Sequence, residues 1–334
     1  MSKLMKTNYL KIELLSIGFG LLLLGSCKEE AYEIPKAKDG LQNDIIKRSL
    51  GPNVVGATID FAYAAAILPD QGKLTSIAVE ASIAGDEGTV LENKSYYTSS
   101  TGADVGVVVG DPATVNGNST EVKFTKDTSA STLRYSYKIP AAAKGKSVTF
   151  TFRARSSNGQ EIALKTEAYA IRNMDMALDL IGKDGAACFF SVADLKWYTA
   201  TEAAANPDKI DLIYLYRPLP TVTYAHSLVA PTTDASYLPS FTLPVGLTNK
   251  TKIVKAWTVR DQQLARLQYS VFVDDVDLKD KSFIDAPDFA INLKAESGIW
   301  LQTADGKYNA YVFVNSVNNT TKEMKISVKR LQVK

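Results

Sequence analysis

The sequence predicts an all-β protein of two immunoglobulin-like β-sandwich domains in tandem. Apolar and polar residues alternate through Leu133–Ile139 and again through Val148–Arg155. Successive side chains of a strand point to opposite faces, so this period of two indicates strands with one buried and one wet face. Turn-forming residues such as Ser157-Asn158-Gly159 separate the segments, and long helical periods are lacking. Short strands at such spacing are typical of β-sandwiches.

Residues 1–26 have the layout of an export signal. Three lysines precede an apolar stretch, Leu14 to Leu24, which is too short to span a bilayer because a spanning helix needs about 20 apolar residues. Leu24-Gly25-Ser26 then places one branched and two small side chains directly before Cys27. Lipidation needs this arrangement, so we expect a lipoprotein signal peptide over 1–26 and a lipid on Cys27. A secreted protein with an incidental cysteine is the alternative.

This leader resembles those of bacterial lipoproteins. The resemblance implies diacylglycerol on the Cys27 thiol and a further acyl chain on its amine. Together these chains anchor a protein stably in a membrane, whereas a single chain gives only marginal binding. Lys28-Glu29-Glu30 also resembles the charged tag of Bacteroidetes lipoproteins that reach the cell surface. The membrane is therefore one expected partner. We expect an outer-membrane location facing the exterior, with a periplasm-facing location as the alternative.

Residues 27–40 carry alternating charges and Pro35 without a hydrophobic period, which predicts a lipidated tether. The leader's three lysines and one glutamate account for the whole net charge of +2. The remaining chain is formally neutral, so no nucleic-acid partner is predicted.

Two domains are expected beyond the tether: an N-terminal immunoglobulin-like sandwich over 41–171 and a β-rich domain over 172–334, with Arg172-Asn173-Met174-Asp175 at the boundary. Strands are predicted at Thr58–Ala66, Ile77–Ile83, Val105–Val109, Leu133–Ile139, Val148–Arg155, Ala187–Val192, Ile210–Tyr216, Lys252–Val259, Tyr269–Val273, Asp288–Leu293, Trp300–Ala304, Tyr308–Val314 and Glu323–Leu331.

Local signals predict the connections. Thr199-Ala200-Thr201-Glu202 fits a capping box and predicts a short helix over Thr201–Ala205, and another helical turn is expected in Asp261–Leu267. Asp305-Gly306 predicts a hairpin. The Gly- and Ser-rich region 99–120 and the Pro- and Thr-rich region 217–250 are expected to be long connections, the former around one short strand.

Three stretches of the second half also resemble a family pattern: Cys188-Phe189-Phe190 with Lys196-Trp197-Tyr198-Thr199, then Lys209–Tyr216, then Gln302–Tyr308. The pattern is similar to that of uncharacterised Bacteroides-type surface lipoproteins, a family of unknown function with β-sandwich domains behind a lipid anchor. The layout is also similar to that of accessory glycan-binding lipoproteins of polysaccharide-uptake systems. The resemblance implies fold and location and no catalytic residue.

Metal and cofactor sites are not predicted. Zinc and most transition metals need several His or Cys ligands, and beyond Cys27 the chain offers only His226 and Cys188. We expect Cys188 in the core and His226 in a hydrogen-bonded structural position. The acidic cluster Asp274–Asp280 lacks the glycine of a calcium loop and is interpreted as a solvated turn, with a calcium loop as the alternative.

No catalytic constellation stands out, so the protein is predicted not to be an enzyme. A Gly-x-Ser-x-Gly nucleophile elbow is missing from the sequence. Paired carboxylates of a glycoside hydrolase are a tertiary property, and an extracytoplasmic hydrolase therefore stays as a third hypothesis.

Recognition through aromatic rings is the remaining hypothesis, because rings with one wet end suit both sugar faces and protein interfaces. Trp257 is expected in the core. The candidate ligand-binding residues are Trp197, Tyr198, Trp300, Tyr96 and Tyr97. The predicted function is non-catalytic binding at the cell surface, with a polysaccharide as the leading ligand. The alternative is a structural or adhesion lipoprotein, associated with fimbriae or a surface layer, that binds a protein.

Overall fold

Strands provide most of the regular structure in this computed structural model, which describes residues 38–219, 224–257 and 259–334. Cys27 and the signal peptide lie outside the described residues.

Gly40–Lys334 form one compact unit. Its strands are β1 (Gln42–Lys47), β2 (Asn53–Val55), β3 (Thr58–Ala66), β4 (Leu74–Ala81), β5 (Val90–Leu91), β6 (Lys94–Thr98), β7 (Asp104–Val108), β8 (Thr114–Asn116), β9 (Ser119–Lys123), β10 (Ala130–Lys138), β11 (Ser147–Val148), β12 (Phe150–Ser156), β13 (Glu161–Lys165), β14 (Tyr169–Lys183), β15 (Phe189–Ser191), β16 (Lys196–Tyr198), β17 (Leu212–Arg217), β18 (Ala225–Val229), β19 (Lys252–Ala256), β20 (Phe289–Leu293), β21 (Gly298–Gln302), β22 (Tyr308–Asn318) and β23 (Glu323–Gln332). Short helices are α1 (Ala200–Ala205), α2 (Gln262–Ala265) and α3 (Asp275–Asp280), with 3-10 turns at Ala141–Ala143, Pro207–Lys209 and Ala235–Tyr237. The all-β prediction is confirmed.

Two sheets pack face to face in the first half of the unit. One has the order β1-β3-β10-β5 and the other β13-β12-β4-β9-β8. Every second residue of β3, β10 and β12 is buried, as the alternating sequence predicts. The Phe61 ring of β3 lies 4.9 Å from that of Phe150 and 5.3 Å from that of Phe152, both on β12. These edge and tilted contacts between the sheets form the aromatic centre of the first core.

The second half contains a larger pair of sheets. Strands β11-β14-β23-β22-β21-β19 form the seven-stranded sheet with β2, which pairs with β14 in parallel, and β16-β15-β17-β18-β20 form the five-stranded sheet. Apolar side chains of both sheets share one core, as Ile213 of β17 and Val312 of β22 do. Leu212, Ile213, Tyr214 and Leu215 are all buried. Since β17 is buried on both faces, it has no alternating pattern.

The two halves share a strand and core residues at their junction. β14 runs continuously through the predicted boundary Arg172-Asn173-Met174-Asp175. The first core also takes in buried residues from the second half, among them Leu264, Val273 and Tyr311. The division into domains at 171 and 172 stays a prediction, although the chain crosses this position within a strand.

A buried ion pair attaches the segment around α2 and α3 to the large sheet. The Lys329 ammonium of β23 donates to Asp261 Oδ2 at 2.7 Å, and neither side chain is accessible to solvent. The same carboxylate accepts from the Leu264 and Val273 backbone N–H groups at 2.8 and 2.6 Å. Burial lowers the pKa of Lys329, and the negative charge of Asp261 opposes this shift. The carboxylate thus serves as helix cap and counter-ion at once.

Several local predictions are confirmed. Thr199 caps α1, and the reciprocal bond from the Thr199 N–H to Glu202 completes the capping box. Asp305-Gly306 forms the turn between β21 and β22, with Gly306 at a φ of +64° that favours glycine. A helical turn occurs at Gln262–Ala265, as expected, and His226 is buried in β18 with hydrogen bonds to Tyr214 and Asn319.

Other predictions are wrong. Tyr269–Val273 is not a strand, although Val271 makes an isolated bridge to Asp261. Region 217–250 contains β18, whose buried His226 and Ser227 hide the period of two. Region 99–120 contains β7 near the one predicted strand, but also all of β8 and the start of β9. Asp274–Asp280 is not a turn but the cap and body of α3, because Asp274 and Asp277 form a capping box and Leu278 is buried.

Replacing Lys329 by methionine should lower the free energy of unfolding by about 3–5 kcal/mol, because the Asp261 carboxylate would stay buried without its cation. The double variant Lys329→Met, Asp261→Asn should recover part of this loss, because it removes the unpaired buried charge and the asparagine oxygen can still accept one of the two backbone N–H bonds. Urea denaturation measures both. Lys325→Met, on the same strand but half-buried, is the control, and an equal loss in this variant would contradict a specific role of the pair.

Candidate functional site

Two of the predicted ligand-binding rings belong to the core. Trp197 is 7% exposed and Tyr198 is 8% exposed. The Trp197 ring lies 4.9 Å from that of Phe190, and the Tyr198 hydroxyl donates to Asp194 at 2.5 Å. Adjacent residues of β16 do point to opposite faces, but β14 and α1 both contact this strand. Neither ring therefore offers a ligand much surface, which argues against the predicted role.

The remaining tryptophans contact lysines. Trp300 on β21 is half-buried, with the Tyr311 ring at 4.6 Å and the Lys281 ammonium 5.6 Å from its centroid. Trp257, expected in the core, is 53% exposed, because β19 ends one residue before it. The Lys255 ammonium lies 4.1 Å from its ring centroid. These cation–π contacts occupy one face of each ring.

The tyrosine pair of β6 is divided between two environments. The Arg134 guanidinium lies 3.7 Å from the ring centroid of Tyr96, and the Tyr96 hydroxyl donates to the Glu92 carboxylate. This hydrogen bond to a carboxylate raises the pKa of Tyr96. Tyr97 points to the opposite face of the strand and is 55% exposed. Tyr97 is thus the predicted ring with the most surface open to a ligand.

Tyr97 borders a groove of about 440 Å³. The groove lies between the β6–β7 hairpin and the segment that leads into β10. We call it the Tyr97 groove, and its lining residues are Ser95, Tyr97, Val107, Val108, Val109, Lys126, Asp127 and Thr128. Its volume falls within the range of about 300–1,000 Å³ that is usual for ligand sites.

Hydrogen bonds fix both walls of the Tyr97 groove. In the hairpin, Tyr97 pairs with Val105 and Ser95 pairs with Val107. The carbonyl of Val109, directly after β7, accepts from the backbone N–H groups of Thr125 and Lys126 at 3.0 and 3.1 Å. This connects the hairpin to the opposite wall. The groove is therefore built on paired backbone and does not depend on a free loop.

The composition of the Tyr97 groove suits a ligand with both apolar and polar surface. The Tyr97 ring and the valines provide an apolar face, and Val107 and Val108 are about half exposed. Lys126 adds an ammonium donor, Asp127 a carboxylate acceptor, and Ser95 and Thr128 hydroxyls. Sugar rings have this dual character, since their C–H faces pack on aromatic rings while their hydroxyls form hydrogen bonds.

Three further findings concern membrane-spanning helices, metal ligands and Cys188. Within 38–219, 224–257 and 259–334, no helix has the length and apolar character to cross a membrane. The same residues contain no group of three or more His, Cys, Asp or Glu side chains placed to hold a metal ion. Cys188 is buried in the second core, and burial raises the pKa of its thiol to about 11.

Residues 38–171 match the domain of unknown function DUF4466, and residues 172–333 match the domain of unknown function DUF8576. The solved structure of a DUF4466 family protein from Parabacteroides merdae is 40% identical to this chain. It aligns with a TM-score of 0.80 over 88% of this chain and 99% of its own. The chain belongs to the DUF4466 family.

More distant structures resemble this DUF4466 family member weakly. A variant of the major pilin subunit BcpA of Bacillus cereus is 12% identical, with a TM-score of 0.29 over 48% of this chain and 52% of its own. A C-terminal fragment of the major pilin GBS80 of Streptococcus agalactiae is also 12% identical, with a TM-score of 0.29 over 51% of this chain and 71% of its own. No curated protein matches the chain.

Sequence reasoning selected Tyr97 in this DUF4466 family protein but missed the rest of the groove. Val107, Val108 and the wall around Lys126 were not among the candidates. Val107 and Val108 lie within the predicted strand Val105–Val109, but the sequence has no signal that both side chains stay exposed. The apposition of residues 126–128 with the hairpin depends on the Val109 carbonyl and has no signal in the sequence.

The two kinds of ring should differ in their effect on stability. Tyr97→Ala should change the free energy of unfolding by less than about 0.5 kcal/mol, because the side chain is largely exposed. Trp197→Ala should lower it by about 3–5 kcal/mol, because it leaves a cavity in the core. Thermal and urea denaturation compare the variants. A large loss for Tyr97→Ala would show that this ring serves packing.

Proposed function

We propose that this protein is a lipid-anchored, non-catalytic binding protein of the bacterial outer membrane, and that it captures glycans at the cell surface through the Tyr97 groove. The exposed Tyr97 ring beside polar side chains is the observation that carries the glycan assignment. The leader and Cys27 support the anchor and the location.

The Tyr97 groove has two walls that a sugar would contact at once. It is formed by a two-stranded hairpin and a neighbouring segment. A sugar placed on the Tyr97 ring would bring its hydroxyls towards Lys126 and Asp127 on the other wall. Such contacts combine packing of the sugar's C–H face on the ring with hydrogen bonds to charged groups.

A second candidate function is adhesion or a structural role with a protein partner. Val107 and Val108 are exposed on β7, and among the described residues no strand pairs with the outer edge of β7. An open edge with apolar side chains can accept an added strand from another protein. This candidate also uses the β6–β7 hairpin but requires backbone pairing along β7 and not the Tyr97 ring.

Tyr97→Ala should weaken glycan binding by about fivefold or more, because the ring contact would be lost while the hairpin stays paired. Affinity electrophoresis against a panel of polysaccharides, followed by calorimetry with the best ligand, measures this effect. Tyr269→Ala removes another exposed tyrosine and is the control. The panel also separates the functions: retention of no polysaccharide would exclude the glycan role, and release of reducing sugar would favour a hydrolase.

Replacing Cys27 by alanine should release the protein from membranes, because the thiol that carries the lipid would be gone. Cell fractionation and incorporation of labelled palmitate measure this change. Ser26→Thr keeps the Cys27 thiol and a hydroxyl residue directly before it, and is the control. Equal membrane attachment of the wild type and Cys27→Ala, with palmitate in neither, would contradict the anchor without bearing on the groove.

A further inference from the structure

A second concave surface lies in the other half of the unit, around Asp211. It has a volume of about 260 Å³, and Asp211, directly before β17, is 5% exposed within it. We call it the Asp211 cavity. Its walls include the 3-10 turn Pro207–Lys209, the hairpin residues of Thr303–Tyr308, and Asn249. Two of the stretches that carry the family resemblance, Lys209–Tyr216 and Gln302–Tyr308, therefore meet here.

The walls of the Asp211 cavity are held by hydrogen bonds. Asp305 Oδ1 accepts from Thr303 Oγ1 at 2.6 Å and from the Lys307 backbone N–H at 2.9 Å. On the facing side, Asn249 Nδ2 donates to the backbone carbonyls of Asp208 and Ile210, both at 2.8 Å. These bonds occupy Asp305 Oδ1 and Asn249 Nδ2 and fix the outline of the cavity before a ligand arrives, which lowers the entropy cost of binding.

Asp211 has no cationic partner among the described residues. Its Oδ2 accepts from the Val192 backbone N–H at 2.8 Å, and within this part of the chain no ammonium or guanidinium lies within 4.0 Å of the carboxylate. Lys209 is paired with Asp194 at 3.0 Å, and Lys307 lies over the Tyr308 ring. A buried carboxylate without a counter-charge is costly.

Other carboxylates add negative charge to the Asp211 cavity. Asp208 and Asp305 also line the cavity, and Lys307 is the lining lysine without a carboxylate partner within 4.0 Å in the described part of the chain. Burial raises the pKa of Asp211 to about 7, the Val192 N–H opposes this shift, and Asp305 and Asp194 add to it. Partial burial also acts to raise the pKa of Asp305, but hydrogen bonds from Thr303 and Lys307 bring it below its usual value.

We propose that the Asp211 cavity binds a small organic ligand through a protonated amino group held by Asp211 and Asp305. An ammonium has three donors and one positive charge, which match two nearby carboxylates, and charge-assisted hydrogen bonds are about twice as strong as neutral ones. A neutral hydroxyl offers no charge to offset an ionised Asp211, so beside it the buried carboxyl would favour its protonated form. The described residues offer no group suited to a metal ion here. This site is independent of the Tyr97 groove.

Matched ligands test the charge requirement. Ligand-observed NMR titrations of the full chain in detergent would compare D-glucosamine with D-glucose and ethanolamine with ethylene glycol. Each amine should bind at least tenfold more tightly than its neutral counterpart. Equal binding within both pairs, or binding of none of the four, would overturn the amine assignment.

Variants test the role of Asp211. Asp211→Asn keeps the acceptor for the Val192 N–H and removes a buried charge, so it should weaken amine binding at least tenfold without lowering the melting temperature. Asp111→Asn alters an exposed carboxylate elsewhere and should bind as the wild type does. Retained amine affinity in Asp211→Asn would overturn the proposal. Tyr97→Ala should leave amine binding unchanged, which separates this site from the groove.

The pH profile provides a further readout. Ethanolamine stays protonated between pH 6 and 8, so its affinity for the wild type should rise over this interval as Asp211 loses its proton. The titratable groups that face Asp211 are Asp194, Asp208, Lys209, Asp305 and Lys307. Hydrogen bonds lower the pKa of Asp194 and Asp305 and raise that of Lys209, so these three pKa values move away from this interval. Asp211→Asn should show no such rise. A flat profile in the wild type would contradict direct contact between the amine and the Asp211 carboxylate.

Discussion

The ionic contact around Asp175 is the junction on which the arrangement of the two halves depends. This carboxylate of β14 accepts from Lys144, in the first half of the unit, at 2.9 Å and from Arg330 of β23 at 2.8 Å. Arg330 also donates to the backbone carbonyls of Val192 and Ala193. Because one partly buried carboxylate has two cationic partners, its desolvation is well compensated. The long pairing of β14 with β23 supplies the rigid backbone for these contacts.

Both proposed binding surfaces depend on this scaffold in the same manner. The β6–β7 hairpin projects beside β10, and the β21–β22 hairpin closes the Asp211 cavity. Arg330 supports the cavity from behind, because it binds the carbonyl of Ala193, which lines it, and packs over Tyr308 at 5.0 Å. Hairpins and turns on a rigid sheet provide variable side chains at fixed positions, which is how many binding proteins separate stability from recognition.

Sequence reasoning was most successful where local chemistry decides the structure. Strand β3 occupies the predicted Thr58–Ala66, and Thr199 caps its helix as expected. It failed for β18, because burial on both faces removes the alternation of apolar and polar residues. It also failed for α3, whose capping box has Asp277 at the N3 position in place of the usual Glu or Gln. Of the predicted rings, Trp197 proved to be core, since whether a strand's second face is wet depends on what packs over it.

The sequence by itself determined the all-β class, the positions of most strands and turns, and the candidate anchor at Cys27, because these follow from periods and motifs within a few residues of one another. The tertiary structure decided which rings remain exposed and where charges meet. Asp211 and Asp305 are far apart in the chain but line one cavity. Burial and electrostatic environment are sums over distant neighbours, so no local pattern could report them.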